Sequence, residues 1–164
     1  MLKPSESILA AKAPWDAVNA VRQRLMRAHR GGLIHNHSTE GRRVYFSTRD
    51  IAVFRAIEAV RHGDRTESDL ARAISRTLYT TSAPDGSCGL AAAIYWSLSE
   101  VRAGRCPILT LVHVSIDGAA PEWRGFVRPM LTIPGFEGDA VAMLQVPLAP
   151  VIEPLIPHFE GEGH

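Results

Sequence analysis

Residues 88–103 are apolar on nearly every side when wound as a helix: Leu90, Ala91, Ala92, Ile94, Tyr95, Trp96 and Leu98 spread around the axis. A helix without a polar face has to be buried, so the rest of the chain must cover it from more than one direction. Gly104 is suited to stop it. Beyond Gly104 the texture changes. Residues 108–116, 125–133 and 140–146 read as strands, separated by turns at Asp117-Gly118 and Pro134-Gly135. Residues 146–157 read as proline-rich and extended.

The chain ahead of the buried helix is mainly helical. Val18, Val21, Leu25 and Met26 recur at helical spacing in residues 14–30, with Pro14 suited to a first turn and Gly31-Gly32 to a stop. Residues 32–37 and 43–47 read as short strands around Glu40-Gly41. Ser47 is placed to cap a helix over residues 48–62 that Gly63 ends, and a further helix covers residues 66–78. Helices first, then a buried helix, then an antiparallel sheet predict an α+β fold. At 164 residues the chain has the size of a single domain, residues 1–80 forming the mainly helical part and 81–164 the buried helix and sheet.

Hydrophobic residues make up 46% and charged residues 21%, which suffices for one core and excludes a disordered chain. The net charge is +1, so the whole molecule has no pull toward nucleic acid or acidic membrane. The charge is unevenly spread. Residues 1–80 carry 14 Lys/Arg against 8 Asp/Glu, a net of +6, and residues 81–164 carry 4 against 9, a net of −5. Either the basic half packs on the acidic half, or it offers a basic surface to an acidic partner. Two cysteines, Cys88 and Cys106, are too few for a disulfide scaffold and suit a reducing compartment. No apolar run approaches the ~20 residues of a membrane span, and the first residues lack the apolar core of a signal peptide. A soluble cytoplasmic protein is expected.

Cys88 stands where its helix should begin, after the glycine-containing loop of residues 82–86. A thiol at a helix N-terminus loses its proton more easily, the more so beside a histidine. The unpaired N–H groups there can hold an oxyanion, and Gly86 and Gly89 let a substrate backbone come close. Cys106, before Pro107 at a strand start, reads as structural. His113 reads as a core or edge histidine in mid-strand.

The run Asp85-Gly86-Ser87-Cys88-Gly89-Leu90 resembles the nucleophile motif of the ovarian-tumour (OTU) cysteine proteases, in the form found in some viral polyproteins. Pro157-His158-Phe159-Glu160 resembles the second motif of that family. The resemblance covers residues 84–94 and 157–160. It implies an OTU-like, papain-like α+β domain in which Cys88 is the nucleophile, His158 the general base and Glu160 the group that orients it. Amides near Asp85 and Cys88 would form the oxyanion hole, with Gly86 and Gly89 against the substrate. It further implies a cysteine-type peptidase that cleaves ubiquitin, ubiquitin-like conjugates or its own polyprotein. Ubiquitin or a relative would be its partner, with no nucleic acid and no membrane. The protease would need no metal or cofactor, and would work in the cytoplasm, that of a host if the chain is viral.

Two other readings stand beside this one. His35-Asn36-His37, followed by Ser47-Thr48-Arg49-Asp50, resembles the JAMM metalloprotease motif, implying zinc on His35, His37 and Asp50; the plainer account is a polar turn and a Ser47 cap. Ala91, where the OTU pattern usually has Arg or His, leaves room for a degenerate OTU-like binding module.

Overall fold

The computed structural model describes residues 4–12, 17–35, 38–41, 43–61, 68–80, 93–115, 119–129 and 139–159. It is an α+β arrangement. Helices α1 (Pro4–Ala11) and α2 (Val18–Arg30) lead into a small antiparallel hairpin of β1 (Ser38–Glu40) and β2 (Arg43–Tyr45). Then come α3 (Thr48–Ala59), α4 (Ser68–Thr80) and α5 (Ala93–Arg102). Next are the strands β3 (Ile108–Ser115), β4 (Glu122–Arg128) and β5 (Asp139–Pro147). A closing run of short helices follows: α6 (Ala149–Ile152), a 3₁₀ turn (Glu153–Leu155) and α7 (Ile156–Phe159).

Glycine stops two of these helices by the same device. After α2, Gly32 takes a φ of +70°, its N–H bonds the His29 carbonyl, and the Leu33 N–H bonds that of Ala28. After α5, Gly104 takes a φ of +75°, and Arg105 N–H reaches back to the Glu100 carbonyl. Both are Schellman caps, which need the left-handed residue that glycine supplies at little cost.

The larger sheet has the order β4-β3-β5, both pairings antiparallel. Strand β3 is central, so residues Ile108 to Val114 are buried except His113. Helix α4 packs against β4. The approach is close enough that a Cβ at Gly125 would lie 2.8 Å from Thr77 Cβ. Thr77 is buried and fixed there by its hydroxyl, which donates to the Ala73 carbonyl at 2.7 Å. Glycine on β4 is what lets the helix settle onto the sheet. One continuous core takes in Val21 and Leu25 of α2, Ile51, Val53, Phe54 and Ile57 of α3, Ile74 and Leu78 of α4, Ile94 and Trp96 of α5, Leu109 and Leu111 of β3, and Ile152 and Phe159 from the closing helices. Helix α3 lies in the middle, against α1, α4, α5 and α6.

The structure corrects several sequence expectations. Residues 146–157 are not extended: past Pro147 the chain coils through α6, the 3₁₀ turn and α7. Pro150, Pro154 and Pro157 each fall in the first turn of such a segment, where a missing N–H costs nothing. Residues 32–35 belong to the cap of α2 and its exit rather than to a strand, and the first hairpin strand described is Ser38–Glu40. Strand β4 starts three residues earlier than expected, at Glu122, where Trp123 pairs and stacks with His113 (centroids 4.7 Å apart). Helix α1 had no counterpart in the sequence reading. Cys106 is an exposed free thiol rather than a structural one. The halves are not held together by the ion pairs Arg24–Glu58, Arg72–Asp69, Arg105–Glu100 and Arg124–Glu122, each of which joins residues of the same half.

Candidate active site at the head of helix α3

Ser47 caps α3 in extended conformation, and its hydroxyl accepts the Asp50 N–H at 3.1 Å. Asp50 answers through Oδ2, which accepts the Ser47 N–H at 2.9 Å and the Ser47 hydroxyl at 2.5 Å. This capping box satisfies the Asp50 and Ser47 amides and sets a negative charge at the positive end of the helix dipole. The other oxygen, Asp50 Oδ1, accepts the Tyr79 hydroxyl at 2.6 Å. Tyr79 holds its proton well above the ordinary tyrosine value, first because it is buried and then because the Asp50 charge and hydrogen bond oppose ionisation.

Three further side chains gather here. The Arg49 guanidinium lies over the Tyr79 ring at 5.1 Å and over the Tyr95 ring at 5.8 Å, within cation–π range. Its Nε has no hydrogen-bond partner among the described residues. The His35 ring packs on Tyr79 at 4.7 Å, and the His35 N–H points at the Tyr79 hydroxyl from 3.5 Å. Thr48, fully buried, directs its hydroxyl toward the His158 carbonyl at 3.5 Å. The head of α3 therefore touches the last turn of α4 through Tyr79, the first turn of α5 through Tyr95, and α7 at His158.

Of the residues singled out in the sequence, His158 is on α7 with an exposed side chain. Asp85, Gly86, Cys88, Gly89 and Glu160 lie outside the described residues, as does His37. Helix α5 is described from Ala93, five residues after Cys88. His35 is exposed and precedes the hairpin rather than lying on its strand. Asp50 is 2% exposed and spends both oxygens on the cap and on Tyr79, so the plainer account of the Ser47–Asp50 pattern, a helix cap, is the one observed. Among the described residues no three His, Cys, Asp or Glu side chains gather as a metal site, and no helix is long and apolar enough to cross a membrane. Arg49, Tyr79 and Tyr95 were not singled out in the sequence. Their meeting joins three helices across 46 residues, and only the adjacent Ser47–Asp50 cap hinted at a built corner.

Comparison with protein-family models, with curated proteins and with solved structures found no match.

Proposed function

We propose that this chain is a cysteine-dependent peptide or isopeptide hydrolase of the OTU type, with Cys88 as nucleophile and His158 as base. The observation that carries the reading is the convergence at the head of α3. The two helices flanking residues 81–92, the segment that contains Cys88, meet there through Tyr79 and Tyr95, and the residue that holds the His158 carbonyl is their neighbour Thr48. The described ends of the helices on either side of that segment and the backbone of His158 thus share one corner of the fold, which supports pairing a nucleophile and a base 70 residues apart in sequence. Arg49 adds a cation to that corner, and a cation beside a cysteine favours thiolate over thiol.

In this mechanism His158 takes the Cys88 proton and the sulfur attacks the carbonyl carbon of the C-terminal glycine of a ubiquitin-like chain. Amides near Asp85 and Cys88 hold the oxyanion, with Gly86 and Gly89 leaving space for the substrate backbone. As the carbon–nitrogen bond breaks, His158 protonates the leaving amine. A water, deprotonated by His158, then hydrolyses the thioester and releases the carboxylate and the thiol. Glu160 orients the imidazole.

The test is reaction with ubiquitin carrying a C-terminal electrophile, read by intact-protein and peptide mass spectrometry. One adduct on Cys88 is expected, lost in His158→Ala and only slowed in Glu160→Ala, since the base moves the proton and the orienting group sets its tautomer. Cys106, exposed and free, is the internal control. Labelling of Cys106 alone, or equal labelling of Cys88 with and without His158, would overturn the assignment.

A further inference from the structure

Helix α2 presents two faces of different character. On one, Arg24 Nε bonds the Glu58 carboxylate of α3 at 2.7 Å. On the other, Asn19, Arg22, Gln23, Met26, Arg27 and Arg30 form one bank of a groove whose opposite bank is Arg43 and Val44 of β2. The groove encloses about 790 Å³. Its floor is apolar, with Leu25 and Phe46 each 2% exposed and Met26 and Val44 half-buried. Arg22, Arg27, Arg30 and Arg43 are exposed; among the described residues no acidic side chain lines the groove and none of the four arginines is ion-paired.

We infer that this groove binds an extended acidic peptide segment of a partner protein, with carboxylates on the arginines and an apolar side chain on the floor. Three features favour that occupant. The arginines come from both banks, so they flank a chain lying along the groove. Arg22 and Arg30 are eight residues apart on the helix, roughly 12 Å, which an extended peptide spans in about four residues. A sequence with acidic residues at either end and an apolar one between matches the lining. A compact anion such as phosphate is poorly served at Arg27 and Arg30, which lie in the last turn of α2, where the helix dipole opposes a single concentrated negative charge. Among the described residues a nucleic-acid strand finds no stacking surface, since Phe46 is the one aromatic residue of the lining there and it is buried.

The experiment uses a fluorescent, end-capped Glu-Leu-Glu-Leu-Glu peptide titrated with the full chain and read by anisotropy. Gln-Leu-Gln-Leu-Gln, an oligothymidylate of equal charge and inorganic phosphate are the comparisons. Binding of the Glu peptide is expected, weakened by salt and roughly tenfold weaker in Arg27→Glu/Arg43→Glu. The milder Arg27→Gln/Arg43→Gln should bind about threefold less tightly. All four changes are to exposed side chains, so the melting midpoints should match wild type, and the Gln pair serves if charge reversal does not fold. Cys88→Ala should bind as wild type does, which separates this groove from the hydrolase reading. Equal binding of the Gln peptide, equal binding by both arginine variants, or displacement of the peptide by lower concentrations of oligothymidylate or phosphate would each overturn the inference.

Discussion

Asp50→Ala removes one carboxylate that serves three donors. The Tyr79 hydroxyl and the Ser47 N–H lose their acceptor, and a buried donor left unpaired costs about 1–3 kcal/mol. The negative charge at the head of α3 goes as well, worth ~0.3–1 kcal/mol against the helix dipole. Part of this is returned, because a 2%-exposed carboxylate no longer has to be desolvated. A net loss of about 3–5 kcal/mol follows, or roughly 6–20 °C in melting midpoint for a chain of this size. Asp50→Asn keeps the volume and one acceptor oxygen and should lose about half as much. Urea titration followed by far-ultraviolet circular dichroism measures both. A loss below ~1 kcal/mol in Asp50→Ala would mean that Ser47 and Tyr79 find other partners, and the capping argument would fail. A zinc chelator added to wild type should leave the midpoint unchanged; a fall would restore Asp50 to the role of metal ligand.

Gly125→Ala should destabilise by about 1–3 kcal/mol through overpacking, with part recovered when Thr77→Ala is added; an unchanged urea midpoint would mean that α4 does not sit on β4 as described. Tyr79 keeps its proton in the folded chain at pH values where the unfolded chain loses it, above about 10. Its contribution is therefore complete below that pH and lost progressively as pH rises above it toward the folded-state value, so Tyr79→Phe should flatten the alkaline fall in the urea midpoint; parallel curves for the two proteins would refute the burial of Tyr79.

Local chemistry was readable where one side chain decides the backbone. Ser47 announces α3, Gly32 and Gly104 end α2 and α5, and the apolar run from Ile108 marks β3. The closing helices are not legible because three prolines in eight residues look extended, although each sits in a first turn that tolerates it. The start of strand β4 is not legible because it lies at the His113–Trp123 stack, a contact between residues ten apart on different strands. The candidate site divides in the same way. Cys88 and His158 can be picked out as motifs. The corner of Arg49, Tyr79, Asp50 and Tyr95 cannot, because it exists only once α3, α4 and α5 have packed.

Helix α3 is buried almost all round, from Thr48 and Asp50 through Ile51, Ala52, Val53, Phe54, Ala56 and Ile57. Such a helix cannot fray by itself, for exposing any side of it opens the common core. Its amides should exchange with solvent only when the entire domain unfolds. The corner that Thr48, Arg49 and Asp50 build therefore carries no independent breathing motion. Heat would not blunt it gradually: it would keep its shape to the edge of the melting transition and then vanish with the fold.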